Sequence, residues 1–274
     1  MQGVPGQFID TRDRAQFRHL AGLPGVELYH AHISHHTFDP HTHEALGIGA
    51  IEYGAERFRY QGSQHIAGAD SLILMNPDEL HTGQAETTEG WRYRMVYLDT
   101  ELIAGLTGSQ QWWFNDVVRY DPLRARHVGA LIYALWHSDD TLSHNGLLLD
   151  LVDTVRPYGA VSGQEASAGR QRFTLVRDYL HDNYMHTVTL DDLATLLSLT
   201  PWHFQRQFKQ QFHVTPHQML MAIRLWRAKL FLARGMPAAE VAAACGLTDQ
   251  SHLTRTFTRR YGITPVRYQK QVSR

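Results

Sequence analysis

Four side chains in the first third of the chain, His41, His43, Glu44 and His81, are of the types that ligate metals, move protons or line polar pockets. In an extended segment His41 and His43 point to one side and Glu44 to the other. Two or three imidazoles with a carboxylate can hold a divalent metal ion, so a metal site on His41, His43 and His81 is one use of the set. Polar lining of a pocket for an organic effector is a second use, and histidines that only pack and hydrogen-bond are a third. Further on, WRYRMVYLD carries Trp91, Tyr93 and Arg94. Aromatic walls with one cation would suit a small carboxylate-bearing effector, an amino acid or organic acid. The plainer reading buries Trp91 and Tyr93 in the core and leaves Arg94 solvated. His30, His32, His35 and His36 read as strand surface.

The last third offers a different chemistry. Residues 194–216, ATLLSLTPWHFQRQFKQQFHVTP, and residues 242–265, AAACGLTDQSHLTRTFTRRYGITP, are two copies of one pattern. Arg206 falls on Arg255, Phe208 on Phe257, Phe212 on Tyr261 and Pro216 on Pro265 at an offset of 49, whereas Leu193 and Ala194 fall on Val241 and Ala242 at 48. The second copy therefore carries one extra residue, which falls in the turn near Gly246, where glycine tolerates unusual backbone angles. Each copy reads as helix, turn, helix. In the second helix of copy one, Phe204, Phe208 and Phe212 recur every four residues and form a core stripe. Trp202, Gln205, Arg206 and Lys209 then face outward. In copy two the stripe is Leu253, Phe257 and Tyr261, leaving Ser251, Thr254, Arg255 and Thr258 outward, with Gln250 on the first turn. Arginine suits guanine, glutamine suits adenine, and threonine can meet a thymine methyl. A single such helix could be an ordinary solvated hairpin; two copies with arginine at matching positions favour a paired reader of double-stranded DNA.

GLTDQSHLTRTFTRRYGITPVRY resembles the signature of the AraC/XylS family of bacterial transcription regulators, G-F-x-D-x-S-x-F-x-R-x-F-(K/R)-x-x-x-G-x-(T/S)-P-x-x-(Y/F)-R. Leu247 and Leu253 stand where Phe is usual, and Gln269 follows Tyr268 where Arg is common. WHFQRQF is similar to the family's first recognition helix. The resemblance implies that Trp202, Gln205, Arg206 and Lys209, then Gln250, Ser251, Thr254 and Arg255, enter two successive major-groove segments. FDPHTHE, the Gly54 turn and DSLILMNPDELHTG resemble the small cupin barrel that serves such regulators as an effector domain, which implies that His81 comes near His41 and His43 from a later strand. Metal-binding cupins place a glutamate four or five residues past the second histidine. Gly47 and Ile48 occupy those places here, so polar lining of an effector pocket is favoured and no metal or cofactor is expected.

The elements that must position these residues are legible. Short runs rich in β-branched and aromatic residues fill the first hundred positions and suggest a barrel or double-sheet jelly roll. After Asp121-Pro122, the residues Leu123, His127, Ala130, Leu131, Ala134 and Leu135 predict one helix, and Leu147, Leu148, Leu151, Val152 and Val155 another. RPYGAVSGQEASAGR has the composition of a linker. The expected fold is α+β with two domains: a cupin-like barrel to about residue 100 with helices over 101–155, a linker at 156–171, and an all-α domain at 172–274. Its two helix-turn-helix units fall at about 190–212 and 238–261. From Arg170 onward 15 Lys and Arg face 6 Asp and Glu, against 11 and 21 before it. The charge split coincides with the repeat and fits a phosphate-attracted domain joined to one that is not.

The function expected is a ligand-responsive, sequence-specific transcription regulator. Its partners would be an operator, a small-molecule effector, RNA polymerase and a second copy of the chain, since the helices in 120–155 resemble the family's dimerisation helices; their apolar faces could equally pack on the barrel alone. The alternative is a metal-dependent cupin enzyme with a helical appendage. No nucleophile elbow, phosphate loop or spaced carboxylate pair suggests other catalysis. The chain has no apolar run of about 18 residues and no signal-like N-terminus, so a cytoplasmic protein without a membrane span is expected. Its single cysteine, Cys245, lies among small residues and reads as core.

Overall fold

A computed structural model describes residues 12–20, 22–109, 112–161 and 168–273. The barrel strands are β1 (Arg14–His19), β2 (Val26–Ile33), β3 (Phe38–His41), β4 (Ala45–Tyr60), β5 (Ser63–Gly68), β6 (Ser71–Met75), β7 (His81–Ala85) and β8 (Trp91–Asp99). They are followed by α1 (Thr100–Thr107), β9 (Trp112–Phe114), β10 (Val118–Tyr120), α2 (Pro122–His137), α3 (Thr141–Val155), a 3₁₀ turn at Arg156–Tyr158 and β11 (Gly159–Val161). The helices of the last third are α4 (Ala168–Asp182), α5 (Leu190–Leu196), α6 (Pro201–Phe212), α7 (Pro216–Ala233), α8 (Ala238–Ala244), α9 (Gln250–Tyr261) and α10 (Pro265–Val272).

The main sheet runs β1-β2-β8-β4-β6-β10, with β3, β5 and β7 joined to it through β4. The first part of β4 pairs with β8 and β6, and its last six residues pair with β5 and β7. The strand turns that corner at Gly54, where φ is 72° and a Cβ would lie 1.9 Å from the Gly90 carbonyl oxygen. Side chains alternate across the sheet. Tyr29, Ile73, Tyr93, Met95 and Tyr97 point into the barrel, whereas Leu28, Leu72, Leu74, Val96 and Leu98 point out beneath α2 and α3. SLILM is buried at all five positions because the sheet is covered on both faces.

Three expectations need correction. Residues 101–155 are not helical throughout, since β9 and β10 intervene and β10 pairs with β6. Residues 156–161 are not linker: β11 pairs with β9, the part of the expected linker at 162–167 lies outside the described residues, and α4 already begins at Ala168. The stripe assigned to α2 straddles two faces. Its core face is Ala125, Val128, Leu131, Ile132 and Leu135, while His127 and Ala130 are exposed and Leu123 is 82% exposed. The small Ala125 is a weak hydrophobic marker, and Leu123 outshone it.

Cap chemistry explains where the last third breaks. Thr189 and Asp192 form a reciprocal capping box at α5, and Thr200, Thr215 and Thr264 each cap a helix whose first residue is proline. The turn between α8 and α9 holds Gly246 at φ 66°, and its counterpart 48 residues earlier, Ser198, is also left-handed at φ 53°. The additional residue of copy two therefore lies after Gly246 and before the Asp249 cap. Cys245 is fully buried, and burial pushes its thiol up to about 12, as befits a core residue. Helices α4 to α7 enclose a core of their own. Helices α8 to α10 share theirs with the barrel interior. Among the described residues no helix is long and apolar enough to cross a membrane.

A Cβ on Gly246 would stand 2.6 Å from the Met185 carbonyl oxygen at a positive φ. Gly246→Ala is expected to cost ~1–3 kcal/mol in thermal unfolding, whereas Ser198→Gly at the matching turn should be neutral or slightly stabilising.

Candidate functional site

Two surfaces carry the chemistry. The first is the pair of outward helix faces. Phe204 and Phe208 bury one side of α6, and Trp202, Gln205, Arg206 and Lys209 are exposed on the other. Trp202 is 66% exposed, and the Arg206 guanidinium lies over its ring at 5.2 Å. On α9 the side chains of Gln250, Ser251 and Arg255 are exposed, and Thr254 is half-buried with its hydroxyl donating to the Gln250 carbonyl at 2.8 Å. Helix α7 joins the two units with 18 residues, a span of about 27 Å.

The second surface is inside the barrel. His41, His43 and His81 are buried together at its lower end, with ring centroids 4.1 Å apart for His41 and His81 and 5.3 Å apart for His43 and His81. They line a cavity of about 40 Å³ with Tyr29, Tyr93 and Tyr97, and the Tyr97 ring stacks on His43 at 4.1 Å. Burial, seconded by neighbouring cationic groups, holds His41 and His43 well below the usual imidazole range, and burial brings His81 down to about 4, so all three are neutral near pH 7. Glu56 also lines the cavity, and burial pushes its carboxyl up to about 8.

Other residues assigned to this pocket lie elsewhere. Trp91 is fully buried and stacks on Tyr93 at 5.6 Å, backing the wall without lining it. Arg94 points to the outer face, where it pairs with Glu52 and lies 5.0 Å from the Tyr133 ring; strand alternation puts it opposite Tyr93. Glu44 turns away from His41 and His43 toward His181 of α4, at 3.3 Å, and burial pushes its carboxyl up to about 7. His30 lies on the outer face near Trp136, and the His36 ring donates to the Arg259 carbonyl at 3.0 Å.

The cavity wall was not fully legible, because part of it comes from α9. Arg260 and Tyr261 close the barrel from the reading domain. Arg260 is buried, donates to the Pro40 carbonyl in the barrel and also donates to the Met221 carbonyl at 3.2 Å. Neighbouring contacts hold the same junction. Arg259 pairs with Asp39 at 3.0 Å, the Phe17 amide donates to Gln271 at 3.0 Å, and the Tyr268 hydroxyl donates to Glu27 at 2.8 Å. A cleft of about 740 Å³ between the barrel and α7 shares His43 and Tyr97 with the inner cavity. Tyr97 had a signal in the sequence, four residues beyond Tyr93 on the same strand face. Glu56 and Arg260 had none.

A barrel with a buried polar cavity, walled in part by one of two helix-turn-helix units with outward polar faces, defines a DNA-binding regulator with an effector domain. Residues 23–152 match the AraC-like ligand binding domain and residues 193–271 match a helix-turn-helix domain. The chain is 30% identical over 242 residues to the HTH-type transcriptional activator RhaS of Escherichia coli, covering 83% of this chain and 86% of that one. It is 27% identical over 223 residues to the HTH-type transcriptional regulator YbfI of Bacillus subtilis, covering 79% and 81%. An apo ToxT variant from Vibrio cholerae shares the fold with a TM-score of 0.61 at 10% identity, over 91% of this chain and 98% of that one. The chain belongs to the AraC family of transcriptional regulators and is a ligand-responsive, DNA-binding transcription regulator.

Glu56 gives a pH test of the cavity. Its folded carboxyl titrates at about 8, above its ordinary 4.5, so the stability this group contributes is complete below 4.5 and is lost as pH rises through 8. Glu56→Gln should match the wild type in melting temperature near the lower of those values and gain on it steadily up to the higher one. A constant difference across that range would place Glu56 in contact with water.

Proposed function

We propose that a small organic effector enters the cleft between the barrel and α7 and acts on the second reading unit through Arg260 and Tyr261. One observation carries this reading: the helix that walls the barrel cavity also presents Gln250, Ser251 and Arg255. A helix of 12 residues moves as a body, so a ligand that alters the packing of Arg260 shifts the reader on the same rod. The effector must bind the two placements of α9 with different affinity, since only that difference moves the equilibrium. The cleft has the size of an ordinary small-molecule site. With Arg94 outside, the cationic side chains lining the cleft are Lys229, already paired with Glu27, and Arg234, while Arg260 lines the inner cavity that shares His43 and Tyr97 with it.

In this reading Trp202, Gln205, Arg206 and Lys209 enter one major-groove segment, and Gln250, Ser251, Thr254 and Arg255 the next. The effector domain ends with β11 and the reading domain begins with α4. The chain acts by binding and not by catalysis, which its regulator relatives support. A second copy docks on the outer faces of α2 and α3, where Leu123 and Leu142 are 82% and 80% exposed.

Arg206→Ala and Arg255→Ala should each cost ~1–3 kcal/mol at a specific operator in a gel shift while leaving the circular dichroism unchanged. Unaltered affinity in both removes these helices as readers. For the paired state, wild type should sediment as two chains and Leu142→Glu as one; a wild type of single-chain mass rejects that interface.

A further inference from the structure

His41, His43 and His81 each bring one ring nitrogen to within 4.8 Å of the other two. Two of the rings are fixed in a ligating tautomer by the backbone. His41 Nδ1 donates to the Asp39 carbonyl at 2.8 Å and His81 Nδ1 to the Glu79 carbonyl at 3.0 Å, which leaves Nε2 of each with a free lone pair. The third ring ends in an orphan. His43 Nε2 is sealed from solvent and meets no hydrogen-bond partner, a costly state for a polar atom unless a ligand reaches it. The space beside the rings, about 40 Å³, has room for an ion and a water.

We propose that His41, His43 and His81 form a binding site for one divalent transition-metal ion of the zinc type. Three imidazoles with one open position are a donor set that zinc, cobalt(II) and nickel(II) accept. Bonds of about 2.0–2.1 Å in tetrahedral geometry set the ligating nitrogens about 3.4 Å from one another, and these three rings already gather theirs within 4.8 Å. Gly47 and Ile48 supply no carboxylate from β4, so the fourth position falls to water or to an anionic group of a bound molecule. Glu56 lines the same cavity as a further oxygen-bearing side chain beside the three rings. A second ligand-type group, Glu44, Asp78 and His181, is the poorer candidate, because Arg177 already stands 3.5 Å from Asp78 as its counter-ion. The site lies outside the readers, so it stands or falls independently of operator binding.

Full-length protein treated with chelator is titrated with cobalt(II) alone and then with zinc alone. The expected result is on the order of one ion per chain, with visible absorption of low-coordinate cobalt(II) that zinc displaces. His43→Gln and His81→Gln should abolish both signals, and His181→Ala should leave them. The proposal is overturned if folded wild type binds neither ion, if both histidine variants retain binding, or if His181→Ala alone loses it. The wild-type titration decides the first of these whether or not a variant folds. Gel shifts on the same preparations separate the two readings: protein that shifts an operator but takes up neither ion defeats this site alone, and protein that takes up the ion but shifts no operator defeats only the assignment of the DNA readers.

Discussion

A lysine ammonium buried between the two domains constrains the arrangement of everything around it. Lys229 of α7 pairs with Glu27 of β2 and lies 4.8 Å from the rings of Phe17 and Tyr261 and 5.3 Å from that of Tyr268. Burial by itself would raise the Glu27 carboxyl. Lys229 and His19 outweigh that effect and hold it down at about 2. Neither charge could be buried without the other, since a lone ion in a dry site costs several kcal/mol. The barrel and the reading domain therefore complete each other at this point, and α8 to α10 have no apolar core separate from the barrel's.

Helix α9 consequently serves three surroundings at once. Successive residues turn by about 100°, so one short helix can send Leu253 and Phe257 into its own domain, Arg255 to solvent and Arg260 to the barrel. Its hydrogen bond to Pro40 and the ion pair of Arg259 with Asp39 fix its pitch against β3. Copy one has no such tie on α6. At its C-cap a Cβ on Gly62 would meet the His213 ring at 2.7 Å, and Leu80 packs against the core that holds Phe204 and Phe208. The duplicated units are thus unequal: the second is tied to the effector domain by hydrogen bonds and an ion pair, and the first packs mainly on α4 and α7.

Particular residues show which signals in the sequence could be followed. Phe204, Phe208 and Phe212 are large and strictly spaced, so their stripe fixed the outward residues of α6. On α2 the stripe failed because Ala125 is small and Leu123 large, although the first is buried and the second is not. Arg94 was grouped with Tyr93 by nearness in the chain, against the alternation of β8 that sends it to Glu52. Glu56 and Arg260 gave no local sign. Each becomes part of the cavity only because a distant segment, β7 in one case and the barrel mouth in the other, packs beside it.

By itself the sequence determined the duplicated helical units, their caps, the class of the barrel and the family to which the chain belongs. These depend on periodicity, turn chemistry and short motifs, all read from neighbours within a few residues. Only the tertiary structure decided that three histidines share one dry cavity, that Glu44 leaves them for His181, and that part of the wall over them belongs to the second helix-turn-helix unit. Those facts join residues as far apart as His41 and Arg260, and such pairings come from the packing of whole faces against one another, which no local pattern encodes.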